Sequence, residues 1–396
     1  MAVRHGYGKI AGADALVFAY DTGDTRNSYR GEPTTNYTTD SGILQNGWSG
    51  GFSLLDSSTK SFQLNVSNFH TDNRGWRSFM WDMRAHAGSA VTISATVEVP
   101  SDSPGDFAWV MIGQANTRDS GTTTATYLGY SSASERYQKS TSNTERITWS
   151  GIVGNTGTAN QPNGIIGFTV WYNGGTIGTN SFIKVSNVQI ELKSHATQFV
   201  NGTRSVSGSL FDLTGNTTLN LADAAFDLDT QMTFDGTDTK VPITGLTISA
   251  TQNKSYEAVI KLATGYNQIG IIIGGRSNST NAFGVQAGRE LRGSEDDEYI
   301  IGSSLNVDEW YHVAYTFEFD GTSAFQKLYI NGELDTERTK TTYIDTYVES
   351  TQHIGYEHRF DYRFNGDIPV CKVYNKTLTA AEVQSNYRHY KQRFNL

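Results

Sequence analysis

Along most of this chain apolar residues alternate with polar ones in short runs that stop at Gly, Ser, Asp or Asn, a period-two rhythm that specifies strands and leaves little room for helices. AVTISATVEV sets Val91, Ile93, Ala95, Val97 and Val99 on one face and Thr92, Ser94, Thr96 and Glu98 on the other, and Pro100 ends it. FAWVMIGQA, ERITWSGIV and IIGFTVWYN follow, and FIKVSNVQIEL closes the series with Ile183, Val185, Val188 and Ile190 inward. Later, KSYEAVIKLA alternates Tyr256, Ala258, Ile260 and Leu262 with Glu257, Val259 and Lys261. EWYHVAYTFEF does the same with Tyr311, Val313, Tyr315 and Phe317 against Trp310, His312, Ala314 and Thr316. In KLYINGELDTE, Asn331-Gly332 between two such runs predicts a type I′ hairpin turn. The 40 Gly, 21 Tyr and 19 Phe, with abundant Thr, Ser and Asn, fit an antiparallel protein with many turns. The expected class is all-β, two antiparallel β-sandwiches in tandem with one short C-terminal helix.

That helix has the strongest local signal. IPVCKVY reads as a last strand, with Ile368, Val370, Lys372 and Tyr374 on one side and Pro369, Cys371 and Val373 on the other. Leu378, Thr379, Glu382 and Val383 then stand where a hydrophobic staple and a capping box require them, which predicts a helix from Ala380 to about residue 391. Composition shifts divide the rest: residues 1–40 as a surface loop or an arm docking on another subunit, 41–200 as one sandwich and 201–396 as a second.

With 396 residues each sandwich can bury a core unaided, and Cys371, the only cysteine, rules out an intrachain disulfide and a cysteine-based metal site. A net charge of -9 disfavours binding to duplex nucleic acid. MAVRHGYGKIAG lacks the apolar run of a secretory signal, and no stretch reaches the length of a membrane-spanning helix, so synthesis in the cytoplasm and no membrane insertion are expected. The eight histidines show no HExxH spacing.

Six of the seven tryptophans fall before residue 200, and exposed indoles stack on the apolar faces of sugar rings. Trp171 and Tyr172, ahead of Asn173-Gly174-Gly175, and Trp76 in the turn-like NRGWRSF read as the aromatics most available to a ligand. Their bland alternative is a place in the core, the reading given to Trp109 and Trp149. The run Glu295, Asp296, Asp297, Glu298 reads as a solvated loop or, alternatively, a loop calcium site.

MTFDGTD, WYHVAYTF, KLYINGELD, HIGY and FNGDIPVCKVYNKTLTAAEVQSNY, spread over residues 232–387, together resemble the laminin-G-like members of the concanavalin-A-like lectin/glucanase superfamily. That resemblance implies a jelly roll. It also implies calcium held by oxygen ligands, for which Asp235, Asp238 and Asp367 are the candidates, with turn-capping as their alternative role. The Glu-x-Asp-x-x-Glu strand of the family's glucanases is absent, so an enzyme is not expected. The earlier half looks like a carbohydrate-binding-module jelly roll. NVQIEL with ATQFVNGTR and LFDLTGN, and ALVFAYDTGDTRNSY near the start, resemble tailed-phage virion proteins. The resemblance therefore implies a non-enzymatic virion structural protein, a head decoration, fibre or tail component. It would be oligomeric, partnered by other virion proteins, and display lectin-like domains toward host-surface glycans. The alternatives are a free carbohydrate-binding protein and a glycoside hydrolase.

Overall fold

The computed structural model describes residues 4–5, 8–41, 43–46, 53–65, 74–99, 108–116, 134–139, 143–154, 162–173, 182–222, 225–226, 232–275, 282–295, 298–343, 348–349 and 351–396. They form antiparallel sheets and a single α-helix, Ala380–Phe394. That helix is too short and polar to cross a membrane, and among the described residues no helix is long and apolar enough to do so.

The chain divides into two units, and they are nested rather than consecutive. One comprises Met1–Pro33 and Ser205–Leu396, the other Thr34–Arg204. The sequence reading of a 1–40 arm is therefore corrected. Leu16–Asp21 is a strand paired with Asn365–Tyr374, from Asp21 opposite Val370 to Leu16 opposite Tyr374. Phe18 and Tyr20 are fully buried in the core of that unit. ALVFAY is apolar because it closes a sheet whose partner strand lies some 350 residues further on, a pairing that local sequence cannot reveal.

The inserted unit is a sandwich of two five-stranded sheets. In one, the strands run in the order Ser134–Lys139, Ala108–Asn116, Pro162–Asn173, Arg74–Asp82, Ile43–Asn46. In the other the order is Asn143–Ile152, Ala90–Val99, Phe182–Glu191, Ser61–Asn65, Ser53–Asp56. Val91, Ile93, Ala95 and Val97 of one sheet meet Val110, Ile112, Phe168 and Val170 of the other in one core. Its centre is aromatic: Phe62 and Phe79 lie 4.4 Å apart, and Phe79 and Trp81 5.0 Å. Ile183 and Val185 face inward on odd positions and Val188 and Ile190 on even ones; a register shift at Asn187, whose φ is 50°, accounts for the change of phase. The two ends of this segment are held together by side chains, since buried Glu191 accepts hydrogen bonds from Thr34, Gln189 and Thr197, each at 2.8 Å.

The enclosing unit pairs a seven-stranded sheet with an eight-stranded one around a core that includes Tyr256, Ile260, Phe283, Tyr315, Leu328 and Cys371. Asn331 and Gly332 have φ of 50° and 80°, as a type I′ turn demands. Along Asn365–Tyr374 the expected alternation breaks once. Cys371 and Val373 face the core and Val370 and Tyr374 the opposite side, yet Ile368 also faces the core. Val259 is opposite Val370 while Lys261 is opposite Asp367, so the last strand carries one extra residue there, a bulge around Ile368-Pro369 that a proline lacking an N–H suits.

On the outer side of this sheet lies the C-terminal helix. Both halves of the predicted capping box are present, and Val383, Tyr390 and Phe394 pack on Val259, Ala314, Val370 and Tyr374. Beneath it sits a buried polar cluster. Glu257 accepts from Lys372 Nζ at 2.6 Å and from Asn386 Nδ2 at 2.7 Å, with His312 Nε2 3.4 Å away. Burial alone would raise the Glu257 pKa, but the Lys372 ammonium and His312 outweigh it and hold the carboxyl well below the usual carboxylate range. Asn386 Oδ1 accepts from the Ala11 N–H at 2.8 Å, which ties the N-terminal segment to the helix.

Candidate functional site

The structure places the aromatic candidates by backbone register. Trp76 is not in a turn; NRGWRSF contributes to the strand Arg74–Asp82, because Phe79 and Trp81 at alternate positions are needed in the core. Trp171 and Tyr172 lie in the strand Pro162–Asn173. Trp109 is opposite Trp171, and Trp171 is opposite Trp76, so three tryptophans occupy one row across three adjacent strands. The row alternates with the core positions Val110, Phe168 and Val170 and thus falls at positions of the other sheet face. The side chains of Trp76, Trp109, Trp171 and Tyr172 lie outside the described residues. Further along that face Met80, Met111, Ala115 and Ile165 form a small buried cluster, beside a 2.6 Å bond between the Ser78 and Thr169 hydroxyls. Trp81 and Trp149 are core residues.

The acidic candidates come near one another without forming a cage. The strands Met232–Asp235 and Asn365–Tyr374 are neighbours, with Asp235 opposite Asn365 and Thr233 opposite Asp367. Asp235 Oδ1 accepts the N–H groups of Thr237, Asp238 and Thr239 at 2.9, 3.1 and 3.2 Å, and its other oxygen takes the Thr237 hydroxyl. Partial burial works against ionisation, but these four donors hold the carboxyl far below the usual range. Asp367 takes the Thr233 hydroxyl at 2.8 Å and pairs with Lys261 at 2.9 Å, while Asp238 is exposed. As placed, Asp235 caps its own turn through N–H donors and Asp367 is half of an ion pair. Among the described residues no group of three or more His, Cys, Asp or Glu is placed to hold a metal ion.

The run at Glu295 corrects its solvated-loop reading in part. Glu295 is buried, 3.1 Å from the equally buried Lys254, whose Nζ sits 4.5 Å over the Phe317 ring. Asp296 and Asp297 lie outside the described residues. The buried carboxylates Glu191, Glu257 and Glu295 are thus each engaged by hydroxyl, amide or ammonium partners, a structural use of charge.

A layer that sequence reading missed lies on the outer side of the seven-stranded sheet, with Gly274, Ala282, Ser294 and His353 buried in it. Pro242, His353, Gly274, Ala282, Ser294 and Tyr299 form one register row across six strands, a floor of small residues between a histidine and a tyrosine. The hairpin 356–363, YEHRFDYR, reaches this floor, since a Cβ on Gly274 would stand 3.7 Å from Glu357 Cβ. Cations and rings alternate there. Arg359 lies 4.5 Å over Phe360, Phe360 is 5.3 Å from Tyr362, and Arg292 sits 5.7 Å from Tyr362 and 4.1 Å from Tyr299. Lys240 and Arg363 flank the Tyr356 ring at 5.0 and 4.9 Å. Arg292 is only 2% exposed and its Nε has no hydrogen-bond partner, whereas Phe360 and Tyr299 are 44% and 40% exposed. Burial lowers the Arg292 pKa against the pull of Tyr299, Tyr362 and Glu357, and burial raises that of Glu357. The signal was present in the alternation of Tyr, His, Arg, Phe, Tyr and Arg over 356–363.

No curated protein matches the sequence. Among solved structures, the chain is similar to the receptor binding domain of botulinum neurotoxin D (19% identity, TM-score 0.39, covering 48% of this chain and 52% of that one). It is also similar to the botulinum neurotoxin type G receptor binding domain (15%, 0.35, 46% and 49%). A third is Trypanosoma rangeli sialidase in complex with the inhibitor DANA (14%, 0.36, 44% and 30%). The chain thus spans about a third to a half of the length of these structures. Residues 235–384 match the family model of the concanavalin A-like lectin/glucanases superfamily.

Proposed function

We propose that this chain is a non-catalytic carbohydrate-binding protein, and that the inserted sandwich takes its ligand along the Trp109, Trp171, Trp76 row. The register of that row carries the reading: three tryptophans in line across neighbouring strands span roughly 10 Å, strands being about 4.8 Å apart. Tryptophans at positions so aligned along the backbone suit successive sugar rings. The match of residues 235–384 to the lectin/glucanases family model and the structural engagement of the buried carboxylates support the same reading.

Affinity electrophoresis of the full chain in gels containing neutral polysaccharides tests it. Retardation by at least one neutral glycan, abolished in Trp171→Ala and Trp76→Ala, is the expected result. Retardation unchanged in both variants, or absent throughout, overturns the reading.

The finer role, display on a virion as a head decoration, fibre or tail component, is supported by the resemblance of NVQIEL, ATQFVNGTR and ALVFAYDTGDTRNSY to such proteins. Because Leu16–Asp21 is built into the chain's own sheet, attachment to a particle would use another surface. Ordered copies in a density map of the native particle would support that role, and a free monomer with no particle association would overturn it.

A further inference from the structure

We propose that the buried cluster beneath the C-terminal helix is a self-modification site, in which Lys372 and Asn386 of the folded chain join in an isopeptide bond while Glu257 moves the protons. Three observations carry it. First, an amine and a carboxamide converge on the two oxygens of one carboxylate. Lys372 Nζ lies 2.6 Å from Glu257 Oε1, and Asn386 Nδ2 lies 2.7 Å from Oε2. The Ala11 N–H can only donate and an ionised Glu257 can only accept, so the amide is oriented with its nitrogen on the carboxylate and its carbonyl oxygen on Ala11 at 2.8 Å. Second, regular elements hold the groups in place. Lys372 stands directly opposite Glu257 on the neighbouring strand, and Asn386 sits one helical turn ahead of Tyr390, whose ring lies 4.5 Å from Lys372 Nζ. Third, water is kept out: the Glu257 and Lys372 side chains and Asn386 are at most 1% exposed, under a layer that includes Val259, Val370, Val383 and Tyr390. His312, 3.4 Å from Glu257 Oε1, and the Tyr374 hydroxyl, 3.4 Å from Oε2, complete the polar surroundings.

The structure holds Lys372 and Asn386 unjoined, at the start of the reaction, with Glu257 and Lys372 as an ion pair. Two charges are costly away from water, and a proton passing from Lys372 to Glu257 leaves a neutral amine and a carboxylic acid. The amine lone pair attacks Asn386 Cγ, and the negative charge that forms on its carbonyl oxygen meets the Ala11 N–H already aimed there. Glu257 gives its proton to Nδ2 and takes one from Nζ. The Cγ–Nδ2 bond then breaks, and ammonia leaves as ammonium with the proton that Glu257 holds, which restores the carboxylate. One amide replaces another, nothing is oxidised or reduced, and no co-reactant is consumed. Fixed neighbours stand in for a chance encounter, which is what makes so weak an electrophile usable. The product ties the last strand covalently to the helix.

Intact mass spectrometry of the purified full chain tests the proposal, followed by unfolding and digestion with trypsin. The expected wild-type mass is that of the sequence less one ammonia, about 17 Da. Trypsin does not cut after an acylated lysine, so the digest should contain residues 364–376 joined to residues 377–388. Lys372→Arg keeps a cation opposite Glu257 but has no amine, and Glu257→Gln removes the proton carrier. Both variants should show the full mass and no joined peptide, with circular dichroism to confirm that they fold. A wild-type chain of full mass overturns the proposal whatever the variants do. So does an ammonia loss that the digest places elsewhere, as in a succinimide at an Asn-Gly pair, or a folded Glu257→Gln chain joined to the same extent as wild type.

Discussion

Both units bury carboxylates, and Glu191 and Glu257 show two means of doing so. In the inserted sandwich, the hydrogen bonds to Glu191 come from neutral donors, the hydroxyls of Thr34 and Thr197, the Thr197 N–H and the Gln189 amide, with the Arg146 guanidinium near enough to feel its charge. In the enclosing sandwich, Glu257 meets Lys372 and Glu295 meets Lys254, ammonium against carboxylate, with all four side chains at most 1% exposed. Neutral donors stabilise a charge without adding a second ion to desolvate. A buried ion pair couples two desolvation penalties, so that either partner alone becomes a liability. Glu191 ties together the two ends of an inserted segment. Glu257 ties Lys372 of the last strand to Asn386 of the helix, and Asn386 in turn holds Ala11. The enclosing unit, whose chain arrives in two pieces, uses matched charge at Glu257 and Glu295 and neutral donors at buried Asp212, which takes the Ala19 N–H at 3.0 Å.

The largest consequence follows from removing one ion. Lys372→Met should cost about 3–5 kcal/mol, the usual penalty for leaving a buried charge uncompensated. In calorimetry the enclosing unit's transition should fall steeply while the inserted unit's stays in place. Glu257→Leu/Lys372→Met, which removes both ions, should recover most of the loss. A Lys372→Met protein in which both transitions fall together would break the comparison, because the two units would then share one cooperative fold.

Acid provides the next test. The folded-state pKa of Glu257 is depressed, so its contribution is fully present above the unfolded value of about 4.3 and is lost as pH falls below it toward the folded value. Between neutrality and about pH 3 the enclosing unit's melting temperature should therefore drop more steeply than the inserted unit's, and the double variant should flatten that slope. Parallel slopes in wild type and double variant would show that Glu257 is not the group responsible.

How much of this could be read from the chain depends on distance along it. The alternation of Ala90–Val99, the Asn331-Gly332 turn and the capping box at Thr379 are set by neighbours within a few residues, and each appears as the sequence implies. Glu257 and Lys372 are paired across 115 positions and Lys254 and Glu295 across 41, so no local pattern marked them. The nesting of one sandwich in the other was hidden for the same reason, because Leu16–Asp21 finds its partner only in the last strand. The bulge near Pro369 reverses an alternation that reads as continuous, whereas the change of phase at Asn187 already shows in the inward set Ile183, Val185, Val188 and Ile190. At the candidate sites, the tryptophan row depends on register, which pairs residues 62 and 95 positions apart, and Arg292 reaches Tyr362 only through the fold.

The smallest effect tests whether the helix is held by its start or by its underside. Thr379 Oγ1 accepts the Glu382 N–H at 3.3 Å, and Glu382 returns the bond to the Thr379 N–H at 2.9 Å. Losing an N-cap of this kind costs about 1 kcal/mol. Thr379→Ala should thus lower the enclosing unit's transition only slightly, because Val383, Tyr390, Phe394 and the Asn386 bonds remain in place against the sheet. Helix packing, more than its end, decides whether a short helix persists. A loss matching that of Lys372→Met would mean that the first turn controls docking of the whole helix, and the buried charges would then follow the helix rather than hold it.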